Sequence, residues 1–533
     1  MSKTVAMGQR LTDTTDFLSE RPATRPRFFH LLQDPKLWIV LLFLLAILMR
    51  VYRLGDPSLW HDEAHTWWLA RLPWTDLLQA LRELGVHPPV FFTLEKITIG
   101  VFGESEAVLR LVPVVADLLT LAIVMQIGLK LGGRAGMIGS GWFWTFHPMA
   151  IWYARDARPY SLATLFAATT IYAYLKLRER PSLQNFALGL LTLSLGLMTH
   201  FFVWAVGFSL ILIALAEFKD EPRSFRLFTF QFFIALIPLG AWLAWYLLLP
   251  DPMLGIGWIS RPRLWDILPT LWNLFSGYAG EVTLASTLFG VIGFTFVICA
   301  QIGRKTRSMA TRTFFLGLIV PIFSVWLVSQ RRPIYMDRYF SVFLPSCALI
   351  VAIGAARAWR VIQPWVDRIL WGWSPVVLSL AFLWIGLQSG YQVHTNHVYA
   401  KEEWRDLSGV LEVEAMPEVW FSDPESVVAL RFYLQDRFVW IQDENPPTCQ
   451  PSCWWVLRQP YTATHAFTQV ITQADRDRSP LTPNECRAEF VWQDYAGLML
   501  WHLTCTNGRR GRTTDSPVLL TPVQYGPSIT QGL

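Results

Sequence analysis

Charge is scarce in this sequence: of 533 residues only 16% are Asp, Glu, Lys or Arg, against 53% hydrophobic, a balance that excludes an intrinsically disordered chain. Also missing is a glycine-rich loop ending in Lys-Ser/Thr, which removes the helicase reading that Asp62-Glu63-Ala64-His65 would otherwise invite. No short apolar stretch with a small-residue cleavage site opens the chain, so no removable signal peptide is expected. Internal repeats and low-complexity tracts are lacking, which leaves no ground for a solenoid or propeller. Cysteine is sparse, with 6 residues, and Cys299 and Cys347 fall in apolar runs where they read as filler.

What the chain has in excess is apolar length, in runs that recur from Leu37 almost to Tyr391 and approach what a ~30 Å hydrocarbon layer requires. The expected fold class is a polytopic α-helical membrane protein. Eleven spans are predicted, at 37–49, 106–129, 135–154, 159–175, 184–199, 201–216, 228–249, 282–302, 313–329, 339–356 and 373–391. His87 to Val101 is apolar but short and opens with Pro88-Pro89, so it reads as an interfacial or re-entrant helix.

Net charge divides along the chain. Residues 392–533 carry 11 basic and 17 acidic residues, while the membrane part holds the basic excess behind the overall +5. There the excess is a topology signal and not a nucleic-acid footprint. Arg21 to Lys36 flank the first span, which predicts a cytoplasmic segment over 1–36, and every loop assigned to the cytoplasm carries Lys or Arg. An odd number of spans then sends the region 392–533 outside. Short β-like runs there (Val419 to Phe421, Phe438 to Ile441, Cys453 to Leu457) and a helical stretch over Glu425 to Leu434 predict a small extracytoplasmic α/β domain. In that setting Cys449, Cys453, Cys486 and Cys505 suit two disulfides, with three pairings open.

Ionisable residues gather on the face assigned as outer. Trp60-His61-Asp62-Glu63-Ala64-His65 follows the first span, and acids in a first helical turn complement the helix dipole, so part of this string has a structural explanation. His61 and His65 stand at the i, i+4 spacing of a zinc protease helix, but Asp62 occupies the place where that motif has Glu. The string Tyr153-Ala154-Arg155-Asp156-Ala157-Arg158-Pro159-Tyr160 sets an Asp between two arginines at a membrane boundary, either a salt-bridge knot or an anion site. Arg338-Tyr339 enters a late span, and Asp117 lies inside one.

In this order the fragments resemble the GT-C glycosyltransferases that use polyprenyl-phosphate sugars, specifically the bacterial family 39 and lipid A aminoarabinose-transferase-like group, over about residues 37–360. The resemblance rests on Asp62-Glu63, His87-Pro88-Pro89, Phe102-Gly103 with Arg110, the Tyr153 to Tyr160 string, Thr199-His200 and Arg338-Tyr339 before Pro345. Asp156 departs from the Glu expected in many relatives. The resemblance implies a multi-pass enzyme of the bacterial plasma membrane that moves a sugar from a polyprenyl-phosphate donor to a hydroxyl on a lipid, glycan or protein acceptor, with inversion. It implies Asp62 as base, Glu63 and Asp156 as carboxylates that orient it or the acceptor, with nearby carboxylates raising one another's pKa toward a useful range, and His87, Arg158, Arg338 and Tyr339 around the donor phosphate. The loop with Trp258 and Arg261 is expected to cover the donor. Metal dependence is left open: His61, His65 and Glu63 are candidates either for a divalent metal ion or for hydrogen-bond partners that support the site. The competing class is a transporter or flippase with an outer charged gate and Asp117 as coupling site.

Overall fold

The structure is a computed structural model that describes residues 34–505 except 86, 251–258, 278–282, 302–303, 370–373, 396–398, 413–416, 422–425, 436, 442–451, 459–485 and 494–497. The cytoplasmic segment expected over 1–36, nearly all of it, and Trp258 and Cys449 lie outside the described residues.

The chain is predominantly helical. It begins with α1 (Pro35–Val51), whose first turn is capped by the Asp34 carboxylate accepting from the Lys36 amide at 2.9 Å. Three shorter helices follow, α2 (His61–Arg71), α3 (Trp74–Leu84) and α4 (Val90–Phe102). The remaining membrane-part helices are α5 (Leu111–Phe146), α6 (Pro148–Ala154), α7 (Tyr160–Glu179), α8 (Leu183–Leu197), α9 (Val203–Ala216), α10 (Pro222–Leu247), α11 (Ile267–Ser276), α12 (Leu284–Ala300), α13 (Arg304–Phe314), α14 (Val320–Ser329), α15 (Leu344–Ile369) and α16 (Ser374–Thr395). Four stretches, Glu106–Phe146, Pro222–Leu247, Met309–Ser329 and Asp337–Pro364, are long and apolar enough to cross a membrane.

Helix α5 is a hairpin and not a rod. At Gly133 the backbone takes φ 62°, ψ −150°, a conformation that favours glycine, and the second arm folds back on the first. The Ser140 hydroxyl accordingly meets the carbonyl of Val124 at 3.3 Å, and the Trp144 indole donates to Asp117 at 3.1 Å. Gly132 and Gly139 bring this hairpin against Ala352, Ala355 and Ala356 of α15 so closely that a Cβ at either would collide, and a Cβ at Gly136 would collide with the Gly128 carbonyl of the first arm.

Asp117 has its partner within this hairpin. Arg50, at the end of α1, donates from Nε to the Asp117 carboxylate at 2.7 Å and from its terminal nitrogens to the carbonyls of Trp144 and Thr145. Arg50 and Asp117 are almost wholly inaccessible, so the pair ties α1 to both arms of α5.

Residues 401–505 supply α17 (Trp404–Leu411), α18 (Val427–Leu434) and a five-stranded sheet of order β2-β1-β3-β5-β4, with β1 Glu418–Phe421, β2 Val439–Ile441, β3 Ser452–Arg458, β4 Cys486–Gln493 and β5 Leu498–Cys505. β1 runs parallel to β2 and β3, with α18 as the crossover between β1 and β2, while β5 is antiparallel to β3 and β4. Cys453 is disulfide-bonded, and Cys486 stands opposite Cys505 in register. This C-terminal unit shares its core with α2: Trp404, Leu407, Leu411 and Val427 bury against Leu59, Ala64 and Trp67.

Removing one member of a buried ion pair strands the other. Arg50→Leu is expected to destabilise the protein by about 3–5 kcal/mol, and Arg50→Leu with Asp117→Leu to recover part of the loss. Melting in detergent checks this, and an unchanged midpoint in the single variant would contradict it.

Candidate active site

Helix α2 sets the geometry because its first-turn acids, Asp62 and Glu63, project into different surroundings. Glu63 is fully buried, and its oxygens are all engaged. Arg110 grips it bidentately at 2.8 and 2.7 Å, the Ala157 amide donates at 2.9 Å, and Lys401 Nζ lies 2.7 Å from Oε1. Burial works against this carboxylate's charge, but Arg110 and Lys401 outweigh it and hold the pKa down at about 2. Arg110 spends its other hydrogens on the carbonyls of Leu54, Pro57 and Ser58, which fixes the chain entering α2.

Asp62 faces the helical bundle and keeps about a fifth of its side chain accessible, with relative exposure of 20%. Arg338 approaches its Oδ2 at 3.2 Å, Arg158 at 3.9 Å, and His61 Nδ1 lies 3.5 Å from Oδ1. Burial disfavours the charged form, yet Arg158, His61 and Arg338 together hold the Asp62 carboxyl well below the usual range. The expectation that neighbouring carboxylates raise one another therefore fails for Asp62 and Glu63, since each is dominated by cations of its own.

Asp156 behaves differently. The Trp60 indole donates to its Oδ1 at 2.8 Å and Lys401 stands 3.5 Å away, while Oδ2 makes no hydrogen bond among the described residues. Burial, reinforced by Glu63, outweighs Lys401 and raises its pKa. The two flanking arginines divide the readings offered by the sequence. Arg155 is structural, donating to the carbonyls of Arg50, Tyr52 and Arg53 at the end of α1. Arg158 turns to Asp62 and to His87, whose Nε2 lies 3.0 Å from its Nη2.

Beside Asp62 lies a cradle of buried donors. His87 accepts from Arg158 through Nε2, so its proton is assigned to Nδ1; His200 accepts from the Phe202 amide through Nδ1 at 3.2 Å, so its proton is assigned to Nε2. Burial and the nearby Arg158 push His87 well down and His200 to about 3, which keeps both rings neutral. The two imidazoles are 5.2 Å apart, and His200 is 5.6 Å from the Tyr160 ring and 5.2 Å from that of Tyr339. His87 Nδ1, His200 Nε2, the Tyr160 hydroxyl and Arg158 Nε are all buried without a hydrogen-bond partner among the described residues. Four buried donors left unmatched are costly, unless an anion with several acceptor oxygens answers them. Arg338 is set at the edge of the cradle by its neighbour Asp337, which accepts from Thr270 and, at 2.7 Å, from Asn273 of α11.

The sequence-based candidates thus divide. Asp62, His87, Arg158, Arg338 and Tyr339 come together, joined by Tyr160 and His200, which the sequence marked only as parts of motif strings. Glu63 and Asp156 form a second, interior cluster with Arg110 and Lys401. Arg261 is exposed, and no described contact joins it to either cluster. The metal trio is not assembled: the His61 and His65 rings lie 4.6 Å apart with their planes tilted by 54°, but Glu63 is taken up by Arg110 and Lys401. Among the described residues no group of three His, Cys, Asp or Glu side chains is placed to hold an ion.

Glu63→Gln is expected to cost about 3–5 kcal/mol by unpairing Arg110 and Lys401, whereas Asp62→Asn stays within about 1 kcal/mol. Because the Glu63 pKa is depressed from 4.5 to about 2, its contribution is present above about pH 4.5 and is lost as pH falls toward 2. Thermal melts from pH 3 to 7 check both points, and equal losses in the two variants would contradict the division.

Comparison with known proteins agrees with this architecture. Residues 86–245 match the family described as dolichyl-phosphate-mannose-protein mannosyltransferase. No curated protein matches the chain. Among solved structures it is similar to ArnT from Cupriavidus metallidurans in the apo state, at 12% identity and TM-score 0.54, covering 87% of this chain and 97% of that one. The same protein bound to undecaprenyl phosphate matches at 12% identity and TM-score 0.54, over 87% of this chain and 98% of the other. At this identity the likeness speaks for the fold, and the family match speaks for the segment that carries His87, Arg158 and His200. The chain thus shares its fold with ArnT, and the part of it over residues 86–245 is similar to the dolichyl-phosphate-mannose-protein mannosyltransferase family.

Proposed function

We propose that the protein transfers a sugar from a polyprenyl-phosphate donor to an acceptor hydroxyl, on the extracytoplasmic face of a bacterial plasma membrane, with inversion. The observation that carries this reading is one partly accessible carboxylate, Asp62, set beside two arginines and a cradle of unmatched buried donors. ArnT, which shares the fold, has been seen with undecaprenyl phosphate, a lipid whose head would match those donors.

In the reaction the acceptor oxygen attacks the anomeric carbon as its proton passes to Asp62, and the bond from that carbon to the phosphate oxygen breaks with its electron pair going to phosphate. Arg158, Arg338, His87 Nδ1–H and His200 Nε2–H answer the charge that grows on the leaving group. An Asp held at low pKa by two arginines is a weak base. A phosphate between those arginines shares their charge, so donor binding raises the Asp62 carboxyl toward a basicity at which proton transfer is useful. The pairing of Asp117 with Arg50 and Trp144 supports a structural role for this carboxylate over the coupling role that the transporter reading gives it.

The test is transfer of labelled sugar from a polyprenyl-phosphate-sugar pool by membranes holding equal amounts of each variant. Asp62→Asn is expected to lower kcat by about 10²–10⁴-fold with donor affinity retained, and Arg338→Gln to weaken donor binding. Since Asp62 sits well below the usual carboxylate range, kcat/KM should show no acid limb from this residue above about pH 4. Normal transfer by Asp62→Asn would remove it as base, and absence of transfer by wild type with every donor sugar would remove the enzyme reading.

A further inference from the structure

Two consecutive residues just ahead of the first helix of the C-terminal unit, Lys401 and Glu402, reach α2. Lys401 is buried, with its ammonium 2.7 Å from Glu63, 3.5 Å from Asp156 and 2.8 Å from the carbonyl of Arg155, which accepts from it. It also lies 5.4 Å from the Trp152 ring centre. The next residue, Glu402, accepts from the His61 amide at 3.0 Å and so serves the first turn of α2, whose own preceding residue, Trp60, makes no side-chain cap. Glu402 is itself held by the Trp404 indole at 2.8 Å and by Arg458 of β3 at 2.6 Å. Behind these two residues the apolar face of α2, through Ala64 and Trp67, shares one buried core with the C-terminal unit, where Phe432 of α18 meets the Trp67 ring edge-on at 5.1 Å.

These contacts have a common consequence. The two faces of α2 that do not look into the donor cradle are both fixed by the C-terminal unit, one through charge and the other through apolar burial. Asp62 is the α2 carboxylate that does look into the cradle. Its position depends on the rotation and height of a helix of 11 residues, too short to hold itself in place.

Resting on the transferase reading above, we propose that Lys401 and Glu402 are positioning residues through which the C-terminal unit holds α2, and with it Asp62, in register with the donor cradle. The C-terminal unit is then part of the catalytic machinery and not an appended module. The donor cradle itself is built from other elements, so loss of these contacts should impair chemistry more than lipid-phosphate binding.

The experiment uses the full-length protein carrying Lys401→Met or Glu402→Gln, with kcat and donor KM measured in the transfer assay and binding of undecaprenyl phosphate measured separately. A displacement of the base by about 1 Å predicts a loss of about a hundredfold in kcat, with donor KM and undecaprenyl phosphate affinity within about twofold of wild type. Amide exchange over His61–Arg71 should rise about tenfold in both variants while that over Tyr160–Glu179 is unchanged. If Lys401→Met does not accumulate, Glu402→Gln, which leaves Lys401 in place, carries the test. Wild-type kcat in Glu402→Gln, or equal loss of kcat and lipid-phosphate affinity, would overturn the proposal. Should wild type transfer no sugar, the function fails by itself, and exchange over α2 still decides the positioning role: unaltered protection in the variants overturns it.

Discussion

A carboxylate with no exposure to water, Glu63, organises much of what surrounds the site. Burying its charge is affordable only because Arg110 meets it with two parallel hydrogen bonds and Lys401 and the Ala157 amide take the remaining lone pairs. Each partner belongs to a different part of the chain: Arg110 to the entry of the α5 hairpin, Ala157 to the turn before α7, Lys401 to the passage into the C-terminal unit. Satisfying one buried charge therefore joins three segments and brings Asp62, Asp156 and Arg158 to one end of the bundle. The Arg50–Asp117 pair performs a similar task deeper in the bundle, where Arg50 closes α1 onto both arms of α5.

That arrangement explains why adjacent acids do different work. Successive positions on a helix point about 100° apart, so Asp62 and Glu63 cannot share an environment. Glu63 receives cations that are consumed by structure, with Arg110 also fixing three carbonyls. Asp62 receives Arg158 and Arg338, whose remaining hydrogens include a buried Nε of Arg158 without a hydrogen-bond partner among the described residues. The first cluster is closed and the second has donor capacity to spare, and such spare capacity is what distinguishes a binding site from a salt bridge of similar composition.

Local signals in the sequence account for much of the site. Asp62, His87, Arg158, Arg338 and Tyr339 stand in short strings beside apolar runs, where charge is rare enough to be noticed, and they do converge. The turn at Gly133 was legible as the basic interval with Lys130 and Arg134 between two apolar runs. Lys401 and Glu402 were not, because a Lys-Glu-Glu string after the last apolar run looks like an ordinary solvated stretch. Only the three-dimensional path shows that its first residue enters the interior. His200 and Tyr160 carried little chemical meaning until the tautomer of one ring and the burial of the other hydroxyl made them unmatched donors. Why Glu63, one candidate for a metal, is paired with Arg110 and Lys401 was hidden for the converse reason: spacing on a helix shows which residues share a face, but not which cations from elsewhere have already claimed them.

The depressed basicity of Asp62 turns this from a static description into a constraint on the proposed reaction. A base permanently neutralised by two arginines would be idle, and a base remote from them would have no link to the leaving group. With Arg338 at 3.2 Å and Arg158 at 3.9 Å from Asp62, the proposed reaction has the same cations serve the carboxylate and the donor phosphate and divide their charge between them. Proton affinity at Asp62 then rises only as phosphate enters, which ties the readiness of the base to the presence of donor. A carboxylate that becomes basic only beside a bound donor gains little from activating a hydroxyl in its absence, and the ordering follows from Coulomb's law at these separations without any moving lid.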